Sequence, residues 1–268
     1  MDPHLLKRAV GWPAAVAAGT AVLVWSLLDL GFFDPGRLGR GLGNLVVFLG
    51  DLTPPETSGG TLATLGGALL ETLQMAYVGT LLGAALALPL AVLAARPLGP
   101  AGVGHAVRGF LALVRTIPSL LWALIFVIMV GLGPLAGMLG LAFYTLGYLG
   151  KLFYEALEGV DPEVVEAVRA TGASRAQLAR HAVLPEAANA LVGQTLFVFE
   201  YNVRASSILG FVGAGGIGFY LLRYLQLFEY QRLATALLLL LVVVLALEAL
   251  SNALRRRYLL PTAPTPVT

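Results

Sequence analysis

Two charged side chains stand out by their surroundings. Glu200 and Arg204 lie four residues apart inside the apolar run Leu191–Leu209. On a helix that spacing places both on one face. Isolated charges at membrane depth are expensive, so such residues pair with each other or face protein or water. One chemistry is an ion pair that fixes helix packing. The other is an arginine, with Asn202 beside it, that meets an anion on its way through the run. A guanidinium gives a multi-oxygen anion two parallel hydrogen bonds. The residues leave both open.

Gly213-Ala214-Gly215-Gly216-Ile217-Gly218 formally fits G-x-G-x-x-G. A dinucleotide-binding turn needs a preceding strand in a βαβ unit and an acidic residue about 20 positions on, and neither is read here. Gly213, Gly215, Gly216 and Gly218 instead supply bare backbone that bends the chain and lets helices approach closely. Non-helical backbone at membrane depth is tolerated only where it is buried or lines a cavity. A gate or re-entrant turn near the outer side meets that condition.

Other chemistries are excluded. The chain has no cysteine, so disulfides, thiolate metal sites and cysteine nucleophiles are absent. His4, His105 and His181 show no ligand spacing, which argues against a metal site. No Walker A sequence is present, so the chain does not hydrolyse ATP alone. A formal net charge of +2 is too small to suggest nucleic acid. Other polar residues carry weaker signals: Asp29, Glu71 and Glu248 near the ends of apolar runs read as interfacial.

The elements that position these residues are membrane helices. Of 268 residues, 58% are hydrophobic and 12% charged. A soluble domain carries about 25% charged residues, so this chain cannot supply a polar skin; disorder would need low hydrophobicity. A bilayer core about 30 Å thick needs about 20 apolar residues per helix. Runs of that kind are Val10–Phe33, one within Leu69–Ala95, Ile117–Leu132, Leu135–Leu152, Leu191–Leu209 and Leu233–Leu250. The first segment can be read as a signal peptide, but it is long for one and lacks a clear cleavage site, so an uncleaved first span is preferred. Six spans put both termini on one side. With the termini inside, twelve of the seventeen Lys and Arg fall on inner segments and four on outer ones, which orients the termini to the cytoplasm. Asp34–Gly60, rich in Gly and Pro, reads as an external loop. Tyr220, Tyr224, Phe228 and Tyr230 read as an outer interfacial belt. Residues 1–60 thus form the first span and loop, 61–258 the transmembrane core, and 259–268 a disordered tail.

Residues 155–190 are the most polar stretch, yet they are organised. Asp161 is a good N-cap and Pro162 suits the first helical position. Val164, Val165 and Val168 repeat at helical spacing, and Gly172 is a stop. Ser174 with Gln177 makes a capping box for a second helix, which Pro185 is expected to end. Local signals alone permit no more than a long cytoplasmic loop that is helical.

Glu166-Ala167, Gly172 six residues after the Glu, and Leu184-Pro185 resemble the EAA loop of ABC importer membrane subunits. Val168 stands at the motif's third position and Ala182 where Ile is usual. The stretch Arg115-Thr116-Ile117-Pro118-Ser119-Leu120-Leu121-Trp122-Ala123, and above all Phe199-Glu200-Tyr201-Asn202-Val203-Arg204-Ala205-Ser206, resemble the phosphonate ABC transporter permease. The glycine run is shared with methionine-importer permeases. The resemblance covers about residues 70–258. It implies an all-α integral membrane fold of the type I ABC importer permease kind, with six transmembrane helices and a cytoplasmic coupling helix between spans four and five. It implies that Val164, Val165, Glu166, Ala167, Gly172, Ala173, Leu184 and Pro185 couple to the ATPase. Glu200, Asn202, Arg204 and the four glycines then belong to the translocation path or gate.

As partners it implies a second permease copy, a cytoplasmic ABC ATPase dimer that holds ATP and Mg, and an external phosphonate-type solute-binding protein. The location is the bacterial inner membrane, and the chain itself binds no cofactor and is no enzyme. The alternatives are a methionine-type or other small-solute importer, an ion-coupled secondary transporter, and a membrane enzyme. A secondary transporter would favour repeated broken helices, and no second glycine break is seen. A membrane enzyme would need clustered catalytic groups.

Overall fold

The computed structural model describes residues 3–258; the expected disordered tail lies outside them. The described residues are helical, in two units, Met1–Pro54 and Pro55–Thr268.

The first unit holds α1 (Pro3–Asp29) and α2 (Pro35–Asp51). The second helix corrects the expectation of a loop over Asp34–Gly60. Asp34 accepts a hydrogen bond from the Arg37 N–H at 3.0 Å, and Pro35 opens the helix. Leu38, Leu42, Leu45, Val46 and Leu49 follow at helical spacing. That periodicity outweighs the cost of glycine in a helix, about 1 kcal/mol per residue.

The second unit starts with α3 (Gly59–Ala94), α4 (Ala101–Thr116), α5 (Ser119–Val130) and α6 (Pro134–Glu158). Ser58 caps α3, which starts about ten residues before the expected apolar run and is about 54 Å long at 1.5 Å per residue. The third apolar run, Ile117–Leu132, is realised as α5, and the inner segment before it is also helical: α4 and α5 meet at Ile117-Pro118 with an 86° bend. The break is written in the residues. In a continuous helix the Val114 carbonyl would accept from the N–H of residue 118, but Pro118 has none. The Trp122 indole N–H takes its place, donating to the Val114 oxygen at 3.1 Å.

The polar segment folds as α7 (Pro162–Ala170) and α8 (Arg175–Leu178), a π-helical turn at Ala179–Val183, and then α9 (Leu184–Leu209). Pro185 does not end the second helix as expected. It stands in the first turn of α9, where a missing N–H costs little. The turn before it widens, the Leu184 N–H bonding to the Ala179 carbonyl, five residues back. The chain therefore passes from the polar segment into the apolar run as one long rod, Arg175–Val212. After the glycine run come α10 (Gly216–Gln226) and α11 (Tyr230–Tyr258).

The core is α3 laid along α6, with α9 against both and α4 and α5 against α6. Glycines set these approaches. A Cβ on Gly83 would lie 2.5 Å from the Thr145 Cβ, and one on Gly140 2.7 Å from the Ala123 backbone. Gly79 and Gly83 thus serve helix packing. Four helices, counting the Arg175–Val212 rod as one, are long and apolar enough to cross a membrane among the described residues, and five if the bent α4–α5 pair counts as one.

Candidate coupling element and glycine turn

Two of the expected sites lie at opposite ends of α6, about 37 Å apart by helix rise. At the Glu158 end sits the α7–α8 element. The Asp161 carboxylate accepts from the Glu163 N–H at 2.9 Å, and Pro162 opens the helix. Gly172 follows with φ +80°, a left-handed stop where a side chain is strained. The Ser174–Gln177 capping box is complete in both directions.

One face of the element is anchored. Val165, Leu178, Ala182 and Val183 are buried in the cluster that holds Phe153, Leu157 and Val160. The Arg169 guanidinium donates to the Pro97 carbonyl at 2.9 Å, tying α7 to the α3–α4 turn. The other face is free: Val164, Glu166, Ala167 and Gly172 are exposed, and Ala173 is half-buried. Leu184 is half-buried and Pro185 exposed at the start of α9. The element is a short rigid helix held from behind, with its outer face open.

Beneath it, Arg108 closes the end of α3. Its Nε and Nη2 donate to the Ala94 carbonyl at 3.0 and 2.6 Å, and its guanidinium lies 4.8 Å from the centre of the Tyr154 ring. Nη2 also meets Glu158, whose carboxylate accepts the Arg96 N–H at 2.8 Å. A cation on the last carbonyl of a helix satisfies both an orphan acceptor and the negative end of the dipole.

At the other end, two glycine turns abut. Gly213 and Gly216 have φ of +83° and +68°, values that favour residues without a Cβ. The Gly213 carbonyl accepts from the Gly133 N–H at 2.9 Å, joining the α5–α6 turn to the run before α10. A Cβ on Gly215 would stand 3.0 Å from Pro134, and one on Gly218 would collide with the Ser207 carbonyl. The first amides of α10 are received by α3: the Gly216 N–H by Glu71 at 3.2 Å and the Ile217 N–H by the Thr72 hydroxyl at 2.9 Å. Glu71 is therefore more than an interfacial residue; it caps a helix. Its signal was an acid beside a threonine inside an apolar run, but the partners lie 145 residues on.

The three residues of α9 expected in the path part company. Glu200 does not pair with Arg204: it meets Arg255 of α11 at 2.9 Å and the Ser251 hydroxyl. Asn202 faces no opening. It is fully buried and donates at 2.8 Å to both Thr80 of α3 and Thr145 of α6, a clamp through the middle of the bundle. Arg204 is exposed and makes no ion pair among the described residues. The expected belt residues Tyr220 and Tyr224 lie on α10, while Phe228 takes φ +58° in the turn before α11. Among the described residues, no group of three or more His, Cys, Asp or Glu can hold a metal ion.

Residues 87–259 match the family described as "Binding-protein-dependent transport system inner membrane component". The chain belongs to this family. It is therefore a membrane permease component, not an enzyme, and the family works with a separate ATPase and a substrate-binding protein. The chain is 36% identical over 260 residues to the phosphite transport system permease protein PtxC of Stutzerimonas stutzeri, spanning 95% of this chain and 94% of the relative. It is 39% identical over 191 residues to the phosphate-import permease protein PhnE of Mycolicibacterium smegmatis, over 71% of this chain and 36% of that protein. The fold is similar to that of the MetNI methionine ABC transporter in an inward-facing form, with TM-score 0.68 and 27% identity over 75% of this chain and 99% of the other. The bundle is thus the type I ABC importer permease fold.

Proposed function

We propose that the chain is the translocation subunit of an ATP-driven importer for phosphonate or a related phosphorus oxyanion such as phosphite. The observation that carries the substrate class is the near full-length likeness to a phosphite permease. The likeness to methionine-importer permeases is weaker, at 26% identity to one from Vibrio cholerae. Arg204 is the chemical counterpart. A cation exposed on an apolar helix is costly against lipid, so it faces water or a second copy of the chain. There it favours an anion without a closed binding site, as a path from which substrate must also leave requires. The abutting glycine turns around Gly213, Gly215, Gly216 and Gly218 form the outer gate. Asn202 and Glu200 hold α9 to its neighbours and keep Arg204 in place.

Six spans, with termini in the cytoplasm, comprise α1, α3, the α4–α5 pair, α6, α9 and α11. Two copies assemble with two cytoplasmic ATPases, which hold ATP and Mg, and one external phosphonate-type binding protein. Val164, Glu166, Ala167, Gly172 and Ala173 seat in the ATPase, and Val165, Leu184 and Pro185 carry its motion into α9. The continuity of the Arg175–Val212 rod supports this route, since a rigid element transmits a rigid-body displacement. Closure of the ATPase pair on ATP turns the bundle from inward-open to outward-open.

The test is uptake by vesicles carrying the permease, its ATPase and the binding protein. Labelled phosphite or methylphosphonate should enter only with ATP inside, and excess methionine should not compete. Competition by methionine, or uptake by the permease alone, would overturn the reading.

A further inference from the structure

Beside the coupling element lies a concave site that no role above uses. It is a pocket of about 320 Å³ between the α3–α4 turn and the start of α8. Arg96, His105, Arg108 and Arg175 line it. Glu158 is the carboxylate that meets these cations, paired with Arg108 and, at 3.8 Å, with Arg96. Three guanidiniums against one carboxylate leave a surplus of two positive charges.

The cations are unequally bound. Arg108 is locked by the Ala94 carbonyl, Glu158 and the Tyr154 ring, so its position costs nothing further to fix. The Arg96 side chain is 83% exposed, and Arg175 is exposed with no ion pair among the described residues. Both keep donors to spare, and a guanidinium presents five in a fork that matches tetrahedral oxyanions. Pro100 and Gly104 add the first turn of α4, the positive end of that helix. A metal cation would be repelled from such a site, and an apolar ligand would leave the charges unpaired.

We propose that this pocket binds a phosphoryl group, either the phosphate of an anionic lipid headgroup or a free phosphate or phosphonate. A bound oxyanion links Arg96 of the α3–α4 turn to Arg175 of α8. It thereby braces the same turn to which Arg169 already ties α7, and it stiffens the seat of the coupling element. The binding itself does not rest on the transport reading: an empty pocket would leave that reading standing.

The test uses the delipidated full chain in neutral detergent. Its thermal unfolding midpoint is measured against phosphatidylglycerol, phosphatidylcholine, inorganic phosphate and chloride at matched ionic strength. The midpoint should rise with phosphatidylglycerol or with phosphate, beyond the phosphatidylcholine and chloride controls. Arg96→Gln/Arg175→Gln, which removes two exposed side chains, should raise the concentration for half-maximal effect by tenfold or more. Arg175→Gln alone serves if the double variant melts early without ligand. A shift with phosphatidylglycerol only assigns the site to lipid, and a shift with phosphate assigns it to a free oxyanion. No shift with either, or equal shifts in wild type and variant, overturns the proposal.

Discussion

Asn202 and Arg204 are two residues apart and do opposite work. The Asn202 amide is fully buried and bridges two threonine hydroxyls from α3 and α6. Truncating it leaves buried polar groups without a partner, at a cost of about 1–3 kcal/mol. Asn202→Ala should therefore lower the unfolding free energy by that amount, read by chemical or thermal denaturation in detergent. Arg204→Ala should stay within about 0.5 kcal/mol of wild type, as an exposed side chain does, while uptake falls and the complex stays assembled. Unchanged uptake would leave Arg204 out of the path. The sequence made the polar character of this stretch plain but left Glu200 and Arg204 either paired or apart, because spacing is all it offers. The true partners, Arg255 and Ser251 for Glu200 and Thr80 and Thr145 for Asn202, lie 51 to 122 residues away.

Local punctuation was well written in the chain: Asp161 with Pro162, Gly172, and Ser174 with Gln177 all act as their residue types require. Proline was only half legible. Pro118 does kink and start an element, as its missing N–H requires, and the Trp122 indole takes over the carbonyl it abandons. Pro185 is absorbed by a widened turn and begins an element instead of ending one. In α2 the leucine periodicity prevailed over glycine. Packing of α3 on α6 depends on what Gly83 lacks. Gly83→Val should destabilise the bundle by about 1–3 kcal/mol through overpacking. Gly66→Ala, on the same helix with nothing within 4 Å, should not; equal loss in both would detach Gly83 from the interface.

The start of α3 is also held by charge. Glu56 accepts from the Thr61 and Ser58 hydroxyls and pairs with Arg232 at 2.7 Å, so its carboxyl is pulled down to about 2. A lowered carboxyl stabilises the fold above its unfolded value and loses that contribution as pH falls toward the folded one. Between pH 5 and pH 3 the wild-type melting temperature should drop more steeply than that of Glu56→Gln. Parallel profiles would show that the pairing contributes nothing.

At the scale of the whole molecule, the proposed coupling rests on the separation of the two sites. The α7–α8 element and the glycine turns stand at opposite ends of α6, and the rod from Arg175 to Val212 joins them. A push on one end is carried along packed helices, because close-packed interiors do not absorb displacement. Which end meets the ATPase is the central claim. Because the chain has no cysteine, a single introduced thiol is the only one it carries. The direct measurement is cross-linking of Glu166→Cys, and separately of Leu132→Cys in the exposed α5–α6 turn, to the ATPase in membrane vesicles. Glu166→Cys should give the permease–ATPase product, with a yield that changes when ATP is added, and Leu132→Cys should give none. Cross-linking from Leu132→Cys with none from Glu166→Cys would contradict the account.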